Sequence, residues 1–197
     1  MTIQQTKHQT RKRLKAVLES ISADALLKKS SLIADRLFAT QWWNDADTVL
    51  AFCSMPREVD TSFMIARAFE QVKTVGIPRV QDDDLIFHRL KQPDANFSIG
   101  MFDIREPSPD WPVLDIETMR IGKLLIVTPG LGFDRSLNRL GRGRGFYDRF
   151  LRTARARAGE NIRAVGVCFS EQLIDNVPVG DYDLPVDGII TERETLH

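Results

Sequence analysis

Cysteine and histidine are scarce in this sequence. Its 197 residues include 2 cysteines and 3 histidines, and none of these five side chains lies close to another along the chain. Cys53 and Cys168 sit inside apolar runs, where a small buried side chain is common. The sequence therefore indicates neither a disulfide framework nor zinc-ligand spacing, and no Ser/His/Asp or Cys/His pairing can be read locally.

Net charge and long apolar runs are also missing. The 27 basic residues balance 27 acidic ones, so no global field favours nucleic acid or an anionic membrane. No apolar run approaches membrane-spanning length, and residues 1–15 are polar without the apolar centre of a signal peptide. We therefore expect a cytoplasmic monomer without a nucleic-acid or membrane partner, folded as one domain over residues 1–197.

Hydrophobic periodicity predicts alternating strands and helices. Leu14 and Leu18 indicate a short N-terminal helix, and Ser22 is a plausible N-cap of a second helix that reaches Thr40. Further helical patterns cover residues 63–69, begin at Phe146 and surround Glu171. Short apolar runs typical of strands lie at residues 48–52, 75–78, 85–88, 124–127, 164–169 and 188–191.

This alternation predicts the α/β class. Several strands are apolar throughout, which favours a mainly parallel sheet with helices on both faces, in a three-layer α/β/α domain. The strand at residues 85–90 follows a polar turn and is expected to pair antiparallel, so the sheet is mixed. Residues 91–112 contain four prolines, which indicates a long surface excursion between two halves of the sheet.

The segment most informative about function reads LLIVTPGLGFDRSLNRLGRGRGFYDRFL, at residues 124–151. It predicts a buried strand, then a glycine-rich basic loop, then a helix. Gly141, Gly143 and Gly145 alternate with Arg142 and Arg144, so the backbone can approach an anion that guanidinium groups and the helix N-terminus attract. A triphosphate suits such a loop, although the spacing matches neither the Walker A nor the dinucleotide pattern.

Two other interpretations of the loop stay open. It could be a flexible surface loop, or an RNA-binding Arg/Gly segment in which Phe146 and Tyr147 stack on bases. Its position between an apolar strand and an apolar-periodic helix favours a folded anion site, because Arg/Gly segments belong to disordered tails.

The loop also resembles a known family. TPGLGFD followed by NRLGRGRGFYDRFL is similar to the pattern of 5-formyltetrahydrofolate cyclo-ligases, and so are SMPREVDT at 54–61, IPRV at 77–80 and YDLPVDGIITE at 182–192. The resemblance implies a fold like that of sugar isomerases and CoA transferases. It further implies Mg²⁺-dependent use of ATP to convert 5-formyltetrahydrofolate into 5,10-methenyltetrahydrofolate, with ADP and phosphate as coproducts.

The resemblance also assigns site residues, with Arg144 and Tyr147 as the catalytic pair. The ATP-binding set is Lys7, Arg11, Arg139, Gly141, Arg142, Gly143, Arg144, Gly145 and Tyr147. The substrate-binding set is Cys53, Met55, Glu58, Arg144, Phe146 and Tyr147. The implied Mg²⁺ ligands are Asp148 and Asp187.

Without the resemblance, several of these residues have ordinary explanations. Lys7 and Arg11 would be solvated, Asp148 would interact with the helix dipole, and Asp187 would be a loop acid. A non-catalytic paralogue that binds a folate or nucleotide as a sensor would carry nearly the same motif. Leu137 departs from the pattern, since the family commonly has glycine there, and it would be strained if the turn needs positive φ.

Overall fold

The computed structural model describes residues 2–93, 97–100, 105–116 and 122–197. The helices are α1 (Ile3–Glu19), α2 (Ala23–Phe38), α3 (Gln41–Asp45), α4 (Ser62–Glu70) and α5 (Phe146–Ala158). The strands are β1 (Thr48–Leu50), β2 (Thr74–Gln81), β3 (Asp84–Arg89), β4 (Ser98–Ile99), β5 (Arg105–Glu106), β6 (Leu124–Thr128), β7 (Gly132–Phe133), β8 (Arg139–Leu140), β9 (Ile162–Val167), β10 (Gly188–Ile190) and β11 (Thr195–Leu196). Within the described ranges, no helix is long and apolar enough to cross a membrane.

The helix predictions differ from the structure mainly in length. α1 has 17 residues and is longer than the short helix expected. Ser22 caps α2 as predicted, because its hydroxyl accepts a hydrogen bond from Ala25 N at 3.3 Å. Around Glu171 there is only a 3-10 turn, Ser170–Gln172. It ends there because the next residue, Leu173, forms an isolated β-bridge with Phe133. The predicted excursion at 91–112 lies partly outside the described residues, and its described parts include the antiparallel strand pair β4–β5.

Seven strands form the central sheet, in the order β11-β10-β9-β6-β1-β2-β3. The five inner strands are parallel, whereas β3 pairs antiparallel with β2, and β11 with β10. The predicted mixed sheet, with an antiparallel strand near residues 85–90, is confirmed.

Both faces of the sheet are covered by helices. Leu125 and Val127 of β6 pack in the same apolar cluster as residues of α1, α2, α3 and α4. The alternate residue Ile126 belongs to a second cluster with Leu151 and Ala154 of α5. Because successive strand residues point to opposite faces, these clusters define two apolar layers and confirm the predicted α/β/α arrangement.

The strand order creates a crevice between β1 and β6. These strands are neighbours, but α4 connects β1 to β2 on one side, whereas α5 connects β6 to β9 on the other. The loops that follow β1 and β6 therefore diverge at the carboxyl edge of the sheet. Open α/β sheets bind ligands at such a switch point.

Leu137 has the strained backbone that its departure from the glycine pattern predicts. Its φ is 65°, in the left-handed region that favours glycine. The turn around it is held by Asp134, whose Oδ1 accepts hydrogen bonds from Ser136 N at 2.9 Å and Asn138 N at 3.0 Å. The Leu137 side chain packs against the cluster that contains Phe133, and this burial offsets part of the strain.

Two substitutions at position 137 separate strain from packing. Leu137→Ala loses most of the apolar contact and keeps the strain, whereas Leu137→Gly loses the contact and relieves the strain. We expect the glycine variant to be about 1 kcal/mol more stable than the alanine variant, the lower end of the cost of the left-handed conformation. Urea unfolding of both variants measures the difference, and equal stability would show that the turn carries no strain.

Candidate active site

A cavity of about 1100 Å³ opens at the carboxyl ends of β1 and β6. Pockets for one small ligand usually measure about 300–1,000 Å³, so there is room for two substrates. Every predicted site residue except Asp187 lines this cavity: Lys7, Arg11, Cys53, Met55, Glu58, Arg139, Gly141, Arg142, Gly143, Arg144, Gly145, Phe146, Tyr147 and Asp148.

One end of the cavity is strongly cationic. Lys7, Arg11 and Lys15 lie four residues apart on α1 and face the glycine loop across the cavity. Arg11 Nε donates a hydrogen bond to Gly141 O at 2.8 Å, and Lys7 pairs with Asp183. Together with Arg144, these side chains place four basic groups along the part of the cavity that the glycine loop lines, and basic groups of this kind attract a polyphosphate.

The glycine loop adopts a backbone that other residues would resist. Gly143 has φ 111° and Gly145 has φ 70°, both outside the range that side chains favour. Gly145 is also the N-cap of α5 and carries no side chain to satisfy the first N–H groups of that helix. These N–H groups lie beside the cationic end of the cavity, which is suitable for an anion.

Arg149, which the sequence reasoning missed, fastens this loop to the β2–β3 turn. Its Nη1 donates to Arg144 O at 3.0 Å, and its Nη2 donates to Asp83 O. Position 149, four residues after Gly145, indicates a side chain near the loop. Nothing in the sequence indicates the contact with residue 83.

The opposite end of the cavity is apolar. Phe52, Cys53 and Met55 follow β1 and face Pro78 and Leu85 from the β2–β3 hairpin. Burial raises the pKa of Cys53 to about 11, which favours the protonated thiol at neutral pH. Such walls suit a flat heterocycle.

Tyr147 brings a polar group to this end. Its hydroxyl is buried and has no hydrogen-bond partner among the residues that the structure describes. Burial, and secondarily the nearby charge of Glu58, raise the pKa of the phenol well above its usual value. Tyr147 is therefore a neutral hydrogen-bond donor that a ligand could satisfy.

Glu58 and Arg142 form an ion pair across the cavity. Arg142 Nε and Nη2 both donate to Glu58 Oε1, at 3.1 Å and 2.8 Å. Glu58 Oε2 accepts a hydrogen bond from Met55 N at 2.9 Å. The resemblance places these two residues in different sets, substrate-binding and ATP-binding, but the structure brings them into direct contact.

Glu106 is a second carboxylate in the cavity that the sequence reasoning missed. It is 2% exposed, and its Oε1 accepts a hydrogen bond from Val80 N at 3.2 Å. It belongs to the proline-rich stretch that was predicted only as a surface excursion. Because that stretch has no periodicity, the sequence carries no signal that the side chain turns inward.

Asp148 is paired with Arg139 at the base of the glycine loop. Its Oδ1 accepts hydrogen bonds from Arg139 Nη2 at 2.8 Å and from Leu184 N at 3.2 Å. The Arg139 side chain is only 3% exposed, so the pair neutralises a buried guanidinium. Asp148 Oδ2 accepts no hydrogen bond from the described part of the chain, which leaves one carboxylate oxygen for a cation.

Asp187, the other predicted metal ligand, does not line the cavity. It precedes β10, at the amino edge of the parallel sheet, and its oxygens accept hydrogen bonds from Arg155 Nη2 at 3.0 Å and Ala164 N at 2.7 Å. Arg155 follows Asp148 by seven residues on α5, about 10 Å along the helix. The structure therefore does not bring the two carboxylates together, and metal binding by Asp187 stays a prediction.

The donor set at the glycine loop fits a cation that is bound mainly by phosphate oxygens. Among the described residues, no three His, Cys, Asp or Glu side chains are grouped as a metal site. Mg²⁺ commonly takes one or two carboxylates and completes its shell with substrate phosphates and water. Asp148 Oδ2 has the chemistry of one such carboxylate ligand, and metal binding by Asp148 stays a prediction.

The fold and the cavity define a class: an α/β protein with a basic glycine loop and apolar side chains in one cavity at the switch point of its sheet. Comparison with known proteins then identifies the family. The sequence model of the 5-formyltetrahydrofolate cyclo-ligase family matches residues 3–192. The chain belongs to this family.

Relatives extend over nearly the whole chain. A Mus musculus 5-formyltetrahydrofolate cyclo-ligase is 31% identical over 204 residues, covering 98% of this chain and 96% of the mouse protein. A probable 5-formyltetrahydrofolate cyclo-ligase of Caenorhabditis elegans is 28% identical over 200 residues, covering 98% and 96%. The structure of Aquifex aeolicus 5,10-methenyltetrahydrofolate synthetase superimposes with a TM-score of 0.79 at 26% identity, covering 96% of this chain and 91% of the other.

Proposed function

We propose that this enzyme uses ATP and Mg²⁺ to convert 5-formyltetrahydrofolate into 5,10-methenyltetrahydrofolate, with release of ADP and phosphate. The observation that carries the proposal is that the basic glycine loop and the apolar end line one and the same cavity. A triphosphate would bind at the glycine loop and a pterin at the apolar end, which would bring the γ-phosphoryl group next to the formyl group.

The reaction needs activation because a formamide oxygen is a poor leaving group. In the proposed sequence the formyl oxygen attacks the γ-phosphorus, and the bond from that phosphorus to ADP breaks. The formyl carbon becomes electrophilic, and N10 attacks it and loses its proton, which closes the five-membered ring. Phosphate then leaves with the electron pair of the C–O bond, which gives the methenyl cation.

The protein would contribute position and charge rather than a covalent nucleophile. Arg144 and the α5 N–H groups stabilise charge on the transferring phosphoryl group, with Lys7 and Arg11 on the remaining phosphates. Tyr147 donates a hydrogen bond through its buried hydroxyl. Met55, Cys53 and Phe146 form the walls around the pterin, and Glu58 accepts hydrogen bonds from pterin N–H groups.

Mg²⁺ bound to the phosphates beside Asp148 would neutralise charge on the β- and γ-phosphate oxygens. Arg139 holds the Asp148 carboxylate in place through Oδ1, and its guanidinium also lies 5.7 Å from the centre of the Tyr147 ring. The Arg139–Asp148 pair thus connects the base of the glycine loop to the wall of the pterin end.

The rival functions have less support. Phe146 and Tyr147 lie half-buried in the cavity rather than on an open surface, which does not favour stacking on RNA bases. A sensor paralogue would bind the same ligands without turnover. We propose the cytoplasm as the compartment and a monomer as the working state.

Turnover tests the proposal directly. The protein is incubated with 5-formyltetrahydrofolate and Mg-ATP while the near-ultraviolet absorbance of the methenyl product and the formation of ADP are followed. We expect one ADP per methenyl product, and no product when ATP is omitted or Mg²⁺ is chelated. Binding of both ligands without product would favour the sensor function, and no binding of either would exclude the proposal.

Glu58→Gln tests the division of the cavity. The amide keeps the size but loses a charge-assisted hydrogen bond, worth about 1.5–3 kcal/mol. We therefore expect the KM for the folate to rise about ten- to a hundredfold, while the KM for ATP at saturating folate stays nearly unchanged. Steady-state kinetics, with each substrate varied in turn, measure both KM values. The substitution Glu70→Gln, at an exposed position on α4, is the control. An equal rise in the KM for ATP would contradict the assignment of Glu58 to the pterin.

A further inference from the structure

The ion pair between Glu58 and Arg142 joins the two halves of the cavity. Glu58 belongs to the loop after β1, at the apolar end, and Arg142 belongs to the glycine loop. The Glu58 side chain is 12% exposed, whereas the Arg142 side chain is 40% exposed. The carboxylate is therefore fixed within the cavity, and the guanidinium reaches it from a position where it can also turn toward solvent or another anion.

In this arrangement Glu58 has little capacity for a ligand. A carboxylate offers about four lone-pair sites, two on each oxygen. Arg142 Nε and Nη2 occupy both sites of Oε1, and Met55 N occupies one site of Oε2. Counted over the described residues, one acceptor site remains, so the pterin cannot form a bidentate contact with Glu58 while Arg142 stays in place.

We propose that Arg142 changes partner between Glu58 and the nucleotide, and thereby couples the binding of the two substrates. The inference rests on the proposed function of the cavity. A triphosphate in the glycine loop carries more negative charge than a carboxylate and attracts the guanidinium. When Arg142 moves to the phosphates, both sites of Glu58 Oε1 become available to pterin N–H donors.

The coupling acts in both directions. A folate whose N–H groups occupy Glu58 displaces Arg142 toward the nucleotide, so each substrate strengthens the binding of the other by the same factor. The exchange also keeps Glu58 neutralised when the cavity is empty. An unpaired carboxylate in the apolar end would otherwise be costly.

The affinity for 5-formyltetrahydrofolate, measured by isothermal titration calorimetry, tests the exchange. The folate affinity is measured first without nucleotide and then with saturating Mg²⁺ and adenylyl imidodiphosphate. The nitrogen that bridges the β- and γ-phosphorus atoms of this analogue prevents phosphoryl transfer. For the wild type we expect the nucleotide analogue to tighten folate binding about five- to tenfold, within the usual range of coupling between sites.

Arg142→Met keeps the length of the side chain but removes every donor. In this variant we expect folate alone to bind about as tightly as it binds to the nucleotide-saturated wild type, with no further gain from the analogue. Arg13→Met, an exposed α1 residue outside the cavity lining, is the matched control and should keep the wild-type coupling.

The other outcomes are distinct. If Arg142→Met weakens the binding of folate alone, then Arg142 only orients Glu58, and the exchange is wrong. Coupling that survives in Arg142→Met also overturns it. A wild type that turns over but binds folate equally with and without the analogue defeats this inference alone. A wild type that binds neither ligand defeats the proposed function as well.

Discussion

Asp148→Asn should lose most of its turnover and unfold at a lower temperature than the wild type. The amide removes the negative charge that a hard divalent cation requires, so Mg²⁺ on the phosphates is bound less tightly. The sequence alone predicts almost no loss of stability, because an amide keeps the helix N-terminal interactions. The structure changes that expectation. The Arg139 guanidinium is buried and loses its counter-charge, which should cost about 1–3 kcal/mol even though the amide oxygen still accepts a hydrogen bond.

Melting temperature and Mg²⁺-dependent turnover, measured on one preparation, separate the two effects. Excess Mg²⁺ should restore part of the activity and none of the stability. A stable and fully active variant would contradict both the metal role and the importance of the Arg139 pair. Loss of stability with normal turnover at saturating ATP would leave only the structural role.

Asp187→Asn is the matched substitution at the other predicted ligand. If Asp187 binds the metal, the Mg²⁺ dependence of turnover in Asp187→Asn should shift as it does in Asp148→Asn. The position of Asp187 at the amino edge of the sheet predicts instead an unchanged Mg²⁺ dependence. A small loss of stability, below about 1 kcal/mol, should follow from its half-exposed pair with Arg155.

Arg144→Ala should keep the fold and weaken the binding of ATP about ten- to a hundredfold. The substitution removes an exposed loop side chain and no core volume, so stability should be near that of the wild type. The loss is a charge-assisted contact with the triphosphate, worth about 1.5–3 kcal/mol. Because we propose that Arg144 also stabilises the transferring phosphoryl group, we expect the turnover number to fall as well.

Calorimetric titration of the ATP analogue measures the binding loss, and kinetics at saturating ATP measure the loss in turnover. Arg144→Lys separates charge from geometry, since it restores the charge without the planar fork of the guanidinium. We expect partial recovery of binding. Unchanged nucleotide affinity and turnover in Arg144→Ala would remove the residue from the site.

Features within one segment could be predicted well from the sequence. The apolar strand, the glycine loop and the first turn of α5 lie within residues 124–151, so their order along the chain could be predicted, and it favours a folded anion site over a disordered Arg/Gly segment. The left-handed backbone of Leu137 was expected only through the family resemblance, which commonly has glycine at that position. The antiparallel β3 was likewise predictable, since only a short turn separates it from β2.

Contacts between distant segments could not be predicted in this way. Glu58 and Arg142 are 84 residues apart, and Arg149 contacts the main chain 66 residues away. Sequence patterns show which face of its own element a side chain occupies, but not which element lies opposite. The pairing of Glu58 and Arg142, and the inward position of Glu106, became visible only in the folded chain.

The sequence by itself determined the α/β class, the place of the glycine loop and the chemical character of the candidate residues, because periodicity and turn chemistry are short-range effects. The tertiary structure decided which of these residues share the cavity. Strand order places the ends of β1 and β6 side by side, whereas Asp187 lies at the start of a parallel strand and so at the opposite edge. That separation depends on the direction of a strand within the sheet, which is set by long-range packing.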